Sequence, residues 1–109
     1  MEESILQTIK KMLGIMPSDD NWDEDILNHI NSAFMTLYQL GFGSTPIFIE
    51  DEDTAWSDVL SIENFASVKT YIYDKVKVGF DPPQSGSLMG ALEKQIAEYE
   101  WRLHIMVDK

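Results

Sequence analysis

The segment ENFASVKTYIYDKVKVGFDPP, residues 63–83, is apolar on almost every side of a helix and then stops on two prolines. At helical spacing, Phe65, Val68, Ile72, Val76 and Gly79 share one face. Ala66, Tyr73 and Phe80 widen that face on one flank, and Tyr71 and Val78 widen it on the other. Only Ser67, Thr70, Asp74 and Lys77 remain as a polar strip. A helix over Ile62–Phe80 of this kind has to be central, with neighbours on several sides. In so short a chain, other subunits are candidates for some of those neighbours. The lysines can lay their stems on apolar surface and keep their ammonium heads wet. The Asp-Pro-Pro run ends the helix, because the residue before proline avoids helical geometry and proline has no N–H to donate.

Three further helices are predicted around it. The first covers Glu2–Leu13, with Ile5, Leu6, Ile9, Met12 and Leu13 as its apolar face. Glu2 and Glu3 stand at its positive end and Lys10 and Lys11 at its negative end, and Gly14 is the expected left-handed stop. The second covers Asp23–Leu40, with a stripe of Ile26, Ile30, Ala33, Phe34 and Leu37 and with Asn28, Asn31, Ser32 and Thr36 facing away. The acids of DDNWDED precede and open it, where carboxylates favour a helix start, and Gly41 and Gly43 close it. The last starts near Ser85 or Ser87 and runs to Met106 or Val107, with Leu88, Leu92, Ile96, Tyr99, Leu103 and Met106 as its main stripe. Ala97, Trp101 and Ile105 form a weaker second stripe, and Glu98 and Arg102 are placed to pair one turn apart.

These elements make an all-α, four-helix domain with a long, partly extended loop between the second and third helices. In that loop Ile47, Phe48 and Ile49 form an extended segment, and Asp53 or Thr54 caps a short turn carrying Trp56, Val59 and Leu60. The 109 residues fit one domain, 1–109, and the 44% hydrophobic content can build a core. With no cysteine there is no disulfide or thiolate chemistry, which points to a cytosolic chain, and no run is long enough to span a bilayer. The acidic, amphipathic start is unlike a secretory signal.

The charge is uneven. Up to Asn64 there are 13 acidic and 2 basic residues, giving −11; beyond it there are 6 of each, giving zero. A duplex-binding surface needs lysine and arginine opposite phosphates, and the first part of the chain has almost none. The carboxylate clusters lack the glycine and closing glutamate of a calcium loop. His29 and His104 have no third ligand at metal-binding spacing, and no nucleophile or phosphate-loop motif occurs. No cofactor and no enzymatic activity are expected.

The segment VKTYIYDKVKVGFDPP, followed by LEKQIAEYEWRL and preceded by KMLGI, DEDILNHINSAFMTLYQLG and WSD, resembles the small head–tail connector proteins of long-tailed bacteriophages and prophages, also called adaptor or head-completion proteins. The resemblance covers nearly the whole chain. It implies a helical structural subunit of the virion, present in the host cytoplasm during assembly, that forms a ring beneath the portal and continues the DNA channel toward the tail. Portal protein and other connector or tail proteins are the implied partners, with no membrane and no sequence-specific nucleic-acid binding. The isolated chain can be monomeric. In such a ring, Trp56, Lys69, Tyr71, Lys75, Lys77 and Val78 are candidate subunit-interface residues. Trp101, Ile105 and Met106 are candidates for portal docking. Glu50, Asp51, Glu52 and Asp53 are candidates for a loop facing the channel or the next ring. The competing reading is an acidic regulatory protein that mimics DNA or sequesters a basic partner.

Overall fold

The computed structural model describes residues 4–40, 48–50, 53–56 and 65–107, the side chains of 65 and 104–107 aside. Among these residues there are four helices and no strand: α1 (Ile5–Leu13), α2 (Asp23–Gln39), α3 (Phe65–Phe80) and α4 (Gly86–Val107). The expected all-α, four-helix domain is thus what forms. Glu2, Glu3, Gly41, Gly43, Ile47, Val59 and Leu60 lie outside the described residues.

Each helix end has a local cause. Ser4 is extended and caps α1, its Oγ accepting from the Gln7 amide at 3.2 Å. Gly14 takes the left-handed conformation, φ 84°, that a Cβ would strain, and the Ile15 amide returns to the Lys10 carbonyl at 2.8 Å. Asp23, Glu24 and Asp25 occupy the first turn of α2, as expected, although its capping position, Trp22, makes no side-chain capping bond. Of the two serines expected to start α4, Ser85 does so: its Oγ accepts from the Leu88 amide at 3.3 Å and its carbonyl from the Met89 amide at 3.0 Å.

Lys10 and Lys11 stand in the last turn of α1, as expected, and Lys10 is fully buried there. Its Nζ lies 2.9 Å from Asp23 Oδ1 and donates to the Pro17 carbonyl at 3.2 Å, which clips the α1–α2 connection to the start of α2. A buried ammonium needs both an anion and hydrogen-bond acceptors, and this turn supplies them.

The core is built around α3, which packs against α1, α2 and α4. Val68, Tyr71, Ile72 and Val76 have no exposure. Around them lie Ile5, Leu6 and Ile9 from α1, the predicted stripe of α2, and Leu103 from α4. The predicted polar strip of α3 is corrected at one position: Asp74 is 2% exposed, because α4 covers it. Of the apolar flank residues of α3, Tyr71 is fully buried within one subunit, while Tyr73, Val78 and Phe80 are half-buried and keep part of their surface open. Met12 on α1 and Met35 and Tyr38 on α2 are exposed, and so is much of the apolar surface of α4. There Leu103 is the one fully buried residue among those described, Leu92, Ile96 and Tyr99 are half-buried, and Leu88 and Trp101 are 63% and 64% exposed.

Candidate interaction surfaces

The segment after α2 is fixed by a side chain. Asn31, in the middle of α2, donates from Nδ2 to the Ile49 carbonyl at 2.9 Å, and its Oδ1 accepts from the Ile49 amide at 2.7 Å. The amide side chain thus satisfies both backbone groups of Ile49, as a neighbouring strand would. Ile49 is buried, while Phe48, 69% exposed, and Glu50 stay on the surface. Further along, Ser4 and Ala55 form an isolated antiparallel bridge and the Ile5 amide donates to the Thr54 carbonyl at 3.0 Å. That pairing carries Trp56 into the core, where its Nε1 donates to Thr8 Oγ1 at 3.1 Å.

The seam between α3 and α4 is polar at its centre. The buried Tyr71 hydroxyl donates to Glu100 Oε2 at 2.8 Å, and Lys75 Nζ lies 3.9 Å from the same oxygen. Burial, then the hydrogen bond to Glu100 and the charge of that carboxylate, hold the Tyr71 hydroxyl firmly protonated. Asp74 faces the Gln95 side chain, whose amide donates to the carboxylate when it is turned to place its nitrogen there. Burial pushes the Asp74 carboxyl up from 3.8 to about 6. Nearer the start of α4 the two helices part to leave a groove of about 490 Å³, lined by Tyr73, Lys77, Pro83, Gln84, Leu88, Ala91, Leu92 and Gln95.

The candidate interface residues therefore separate. Trp56 and Tyr71 are spent inside the subunit. Lys69 lines a cleft beside α1 with Lys11 and Met12. Lys75 and Val78 meet in a second cleft between α2 and α4, with His29 and Glu93. Lys77 lines the α3–α4 groove and pairs with Asp81 at 2.9 Å. Trp101 projects from α4; the side chains of Ile105 and Met106 lie outside the described residues. Glu50 and Asp53 are exposed, while Asp51 and Glu52 lie outside the described residues.

Sequence reasoning missed Asn31, which a helical wheel assigns to solvent. Its signal is faint: a mid-helix asparagine is a weak helix former and so has some other use. Phe48 and Leu88 were legible as apolar residues, but not as exposed ones.

No group of three or more potential metal ligands occurs among the described residues. Asp20, Asp23, Glu24 and Glu50 instead line an open cleft of about 720 Å³ with Leu6 and Leu27. His29 packs over Gly79 and against Phe80, with ring centroids 6.5 Å apart, which is a packing role. No helix among the described residues is long and apolar enough to cross a membrane.

No match was found among curated proteins or among solved structures. A family comparison does match, and over nearly the whole chain. The sequence model of the phage connector protein family aligns with residues 5–109, so the chain belongs to that family of phage structural components, and with membership comes a part in connecting head to tail.

Proposed function

We propose that the chain is a ring-forming subunit that sits beneath the portal of a filled phage head and continues the DNA channel toward the tail. The observation that carries this reading is the open face of α4. This 22-residue helix leaves Leu88 and Trp101 mostly in water, more exposed than any large apolar side chain described on the other three helices. Exposed large aromatics on a rigid helix are typical anchors of protein interfaces. Trp101, with Ile105 and Met106 beyond it on the same helix, is the proposed portal-docking end. The half-buried Lys69, Lys75, Lys77 and Val78 keep part of their surface for neighbouring subunits.

The charge supports a conduit. A net charge of −11, carried by residues 1–64, repels phosphates and lets DNA slide without sticking. Asp53 remains exposed in the loop that was expected to face the channel or a neighbouring ring. The acidic-mimic reading has less support. Asp23 is paired with Lys10, Glu98 with Arg102 and Asp81 with Lys77, and Asp74 is buried, so these four carboxylates are committed within the subunit rather than offered to a basic partner.

Size analysis of the chain mixed with its portal protein tests the proposal. Co-migration is expected. Trp101→Ala should weaken portal binding at least tenfold, the effect of losing an interface anchor of about 2 kcal/mol, without shifting the unfolding midpoint. A wild-type chain that never binds portal at high concentration would remove the proposal.

A further inference from the structure

We propose that Phe48, with Glu50 beside it, is a knob that seats in the α3–α4 groove of a second copy of this chain, where Glu50 meets that copy's Lys77. The contact rests on the ring reading above and specifies one side of it.

The knob is built, not incidental. Asn31 grips both backbone groups of Ile49 and drives that side chain into the core, so its neighbours Phe48 and Glu50 are held outward. An exposed phenylalanine next to a clamped backbone loses little conformational freedom on docking, which favours its use as an anchor. The receiving groove has the complementary character. Tyr73, Leu88, Ala91 and Leu92 supply apolar walls, and Lys77 is the one charged residue among the described residues that line it. Leu88 is 63% exposed there, a large apolar side chain waiting for cover. Lys77 is already paired with Asp81, but that carboxylate is 58% exposed and an ammonium has three donors, so it can take a second acceptor.

Among the described residues, none from outside α3, α4 and the turn between them lines the groove, and neither Phe48 nor Glu50 is part of its lining. The fit is between two different patches of the same chain, so it is head-to-tail and propagates around a ring rather than closing a two-fold pair. The charges agree with that pairing: Glu50 belongs to the part of the chain that carries all the net negative charge, and Lys77 to the neutral part.

The chain has no cysteine, which makes disulfide trapping clean. Glu50→Cys and Gln84→Cys variants, mixed at millimolar concentration and separately on portal protein, are expected to give a crossed disulfide well above the like-with-like products. Gln84 lines the groove. An Ala97→Cys variant on the outer face of α4 replaces Gln84→Cys as the control and should give no enrichment. Phe48→Ser should weaken self-association at least tenfold with an unchanged unfolding midpoint, since the residue is exposed. Lys77→Glu should weaken it as well, and combination with Glu50→Lys should restore it. Crossed product no greater than the control, or full association by Phe48→Ser, would overturn the contact. If portal binding persists in that case, the ring reading stands and only this contact falls; loss of portal binding by the wild-type chain removes the ring reading itself.

Discussion

Gly79 has no side chain because His29 occupies the place where one would go. A Cβ there would lie 2.5 Å from the imidazole Cε1 and 2.6 Å from Nδ1. Alanine is the better helix former by about 1 kcal/mol, but overpacking against a ring held beside Phe80 costs about 1–3 kcal/mol, so the clash wins. Gly79→Ala is therefore expected to destabilise the domain by about 1 kcal/mol in a urea titration. In a His29→Ala background the same change should stabilise it by up to about 1 kcal/mol. Equal effects in the two backgrounds would show that the two residues do not interact. Asp74 makes the second residue-scale argument. Its folded carboxyl titrates near 6, above the 3.8 of an ordinary aspartate, because burial penalises the charged form. The stabilising contribution is thus fully present below pH 3.8 and is lost as the pH rises through about 6. Asp74→Asn keeps a partner for Gln95 and carries no charge. It should be more stable than the parent by on the order of 1–3 kcal/mol at pH 8, and the difference should shrink toward pH 4. Taking the difference between the two proteins cancels the titration of every other acid, so a gap independent of pH would refute the assignment.

At the scale of elements, the loop between α2 and α3 depends on one asparagine. Asn31→Ala strips both partners from the Ile49 backbone, and leaving buried polar groups unsatisfied costs about 1–3 kcal/mol. The Ile49 amide should be protected from hydrogen exchange in the parent and exchange rapidly in the variant, with self-association falling as Phe48 loses its fixed position. An unprotected Ile49 amide in the parent would count against the clamp. Much of the architecture was legible because it is local. The spacing of α3, the Gly14 stop, the Ser85 cap and the Glu98–Arg102 pair, found at 2.7 Å, are all settled within a turn or two of chain. What escaped was non-local. A helical wheel puts Asn31 and Asp74 on polar strips and cannot know that a segment 18 residues away covers one and α4 covers the other. Lys10 reads as a helix-end cation until the chain turns back and offers it Asp23. The surface sites divide in the same way. Trp101 stands off the main stripe of its helix and is exposed, whereas Trp56, beside acids in the sequence, is drawn inside by the Ser4–Ala55 bridge.

At the scale of the whole molecule, two electrostatic effects oppose each other when copies meet. Each copy carries −11, so copies repel at long range, yet the proposed contact places an acid of one against a lysine of the next. Distance decides between them. The subunit measures 41 × 35 × 22 Å, so the charge centres of neighbours lie at least about two Debye lengths apart at ~0.1 M salt, where that length is about 10 Å. The long-range repulsion is then largely screened, while a contact pair within ~4 Å keeps most of its attraction. At ~0.01 M salt the Debye length is about 30 Å and the full charge of one copy is felt by the next. At ~1 M salt it is about 3 Å and the contact pair is weakened as well, leaving the apolar knob to hold the interface. Self-association followed by sedimentation should therefore be weakest at ~0.01 M salt, pass through a maximum near ~0.1–0.2 M and decline modestly toward ~1 M. Lys77→Glu should abolish the decline at high salt, because no attractive pair remains to be screened, while keeping the rise at low salt. A steady fall in association from the lowest salt upward would mean that net charge does not oppose assembly. The acids of residues 1–64 would then have to face away from the neighbouring copies altogether.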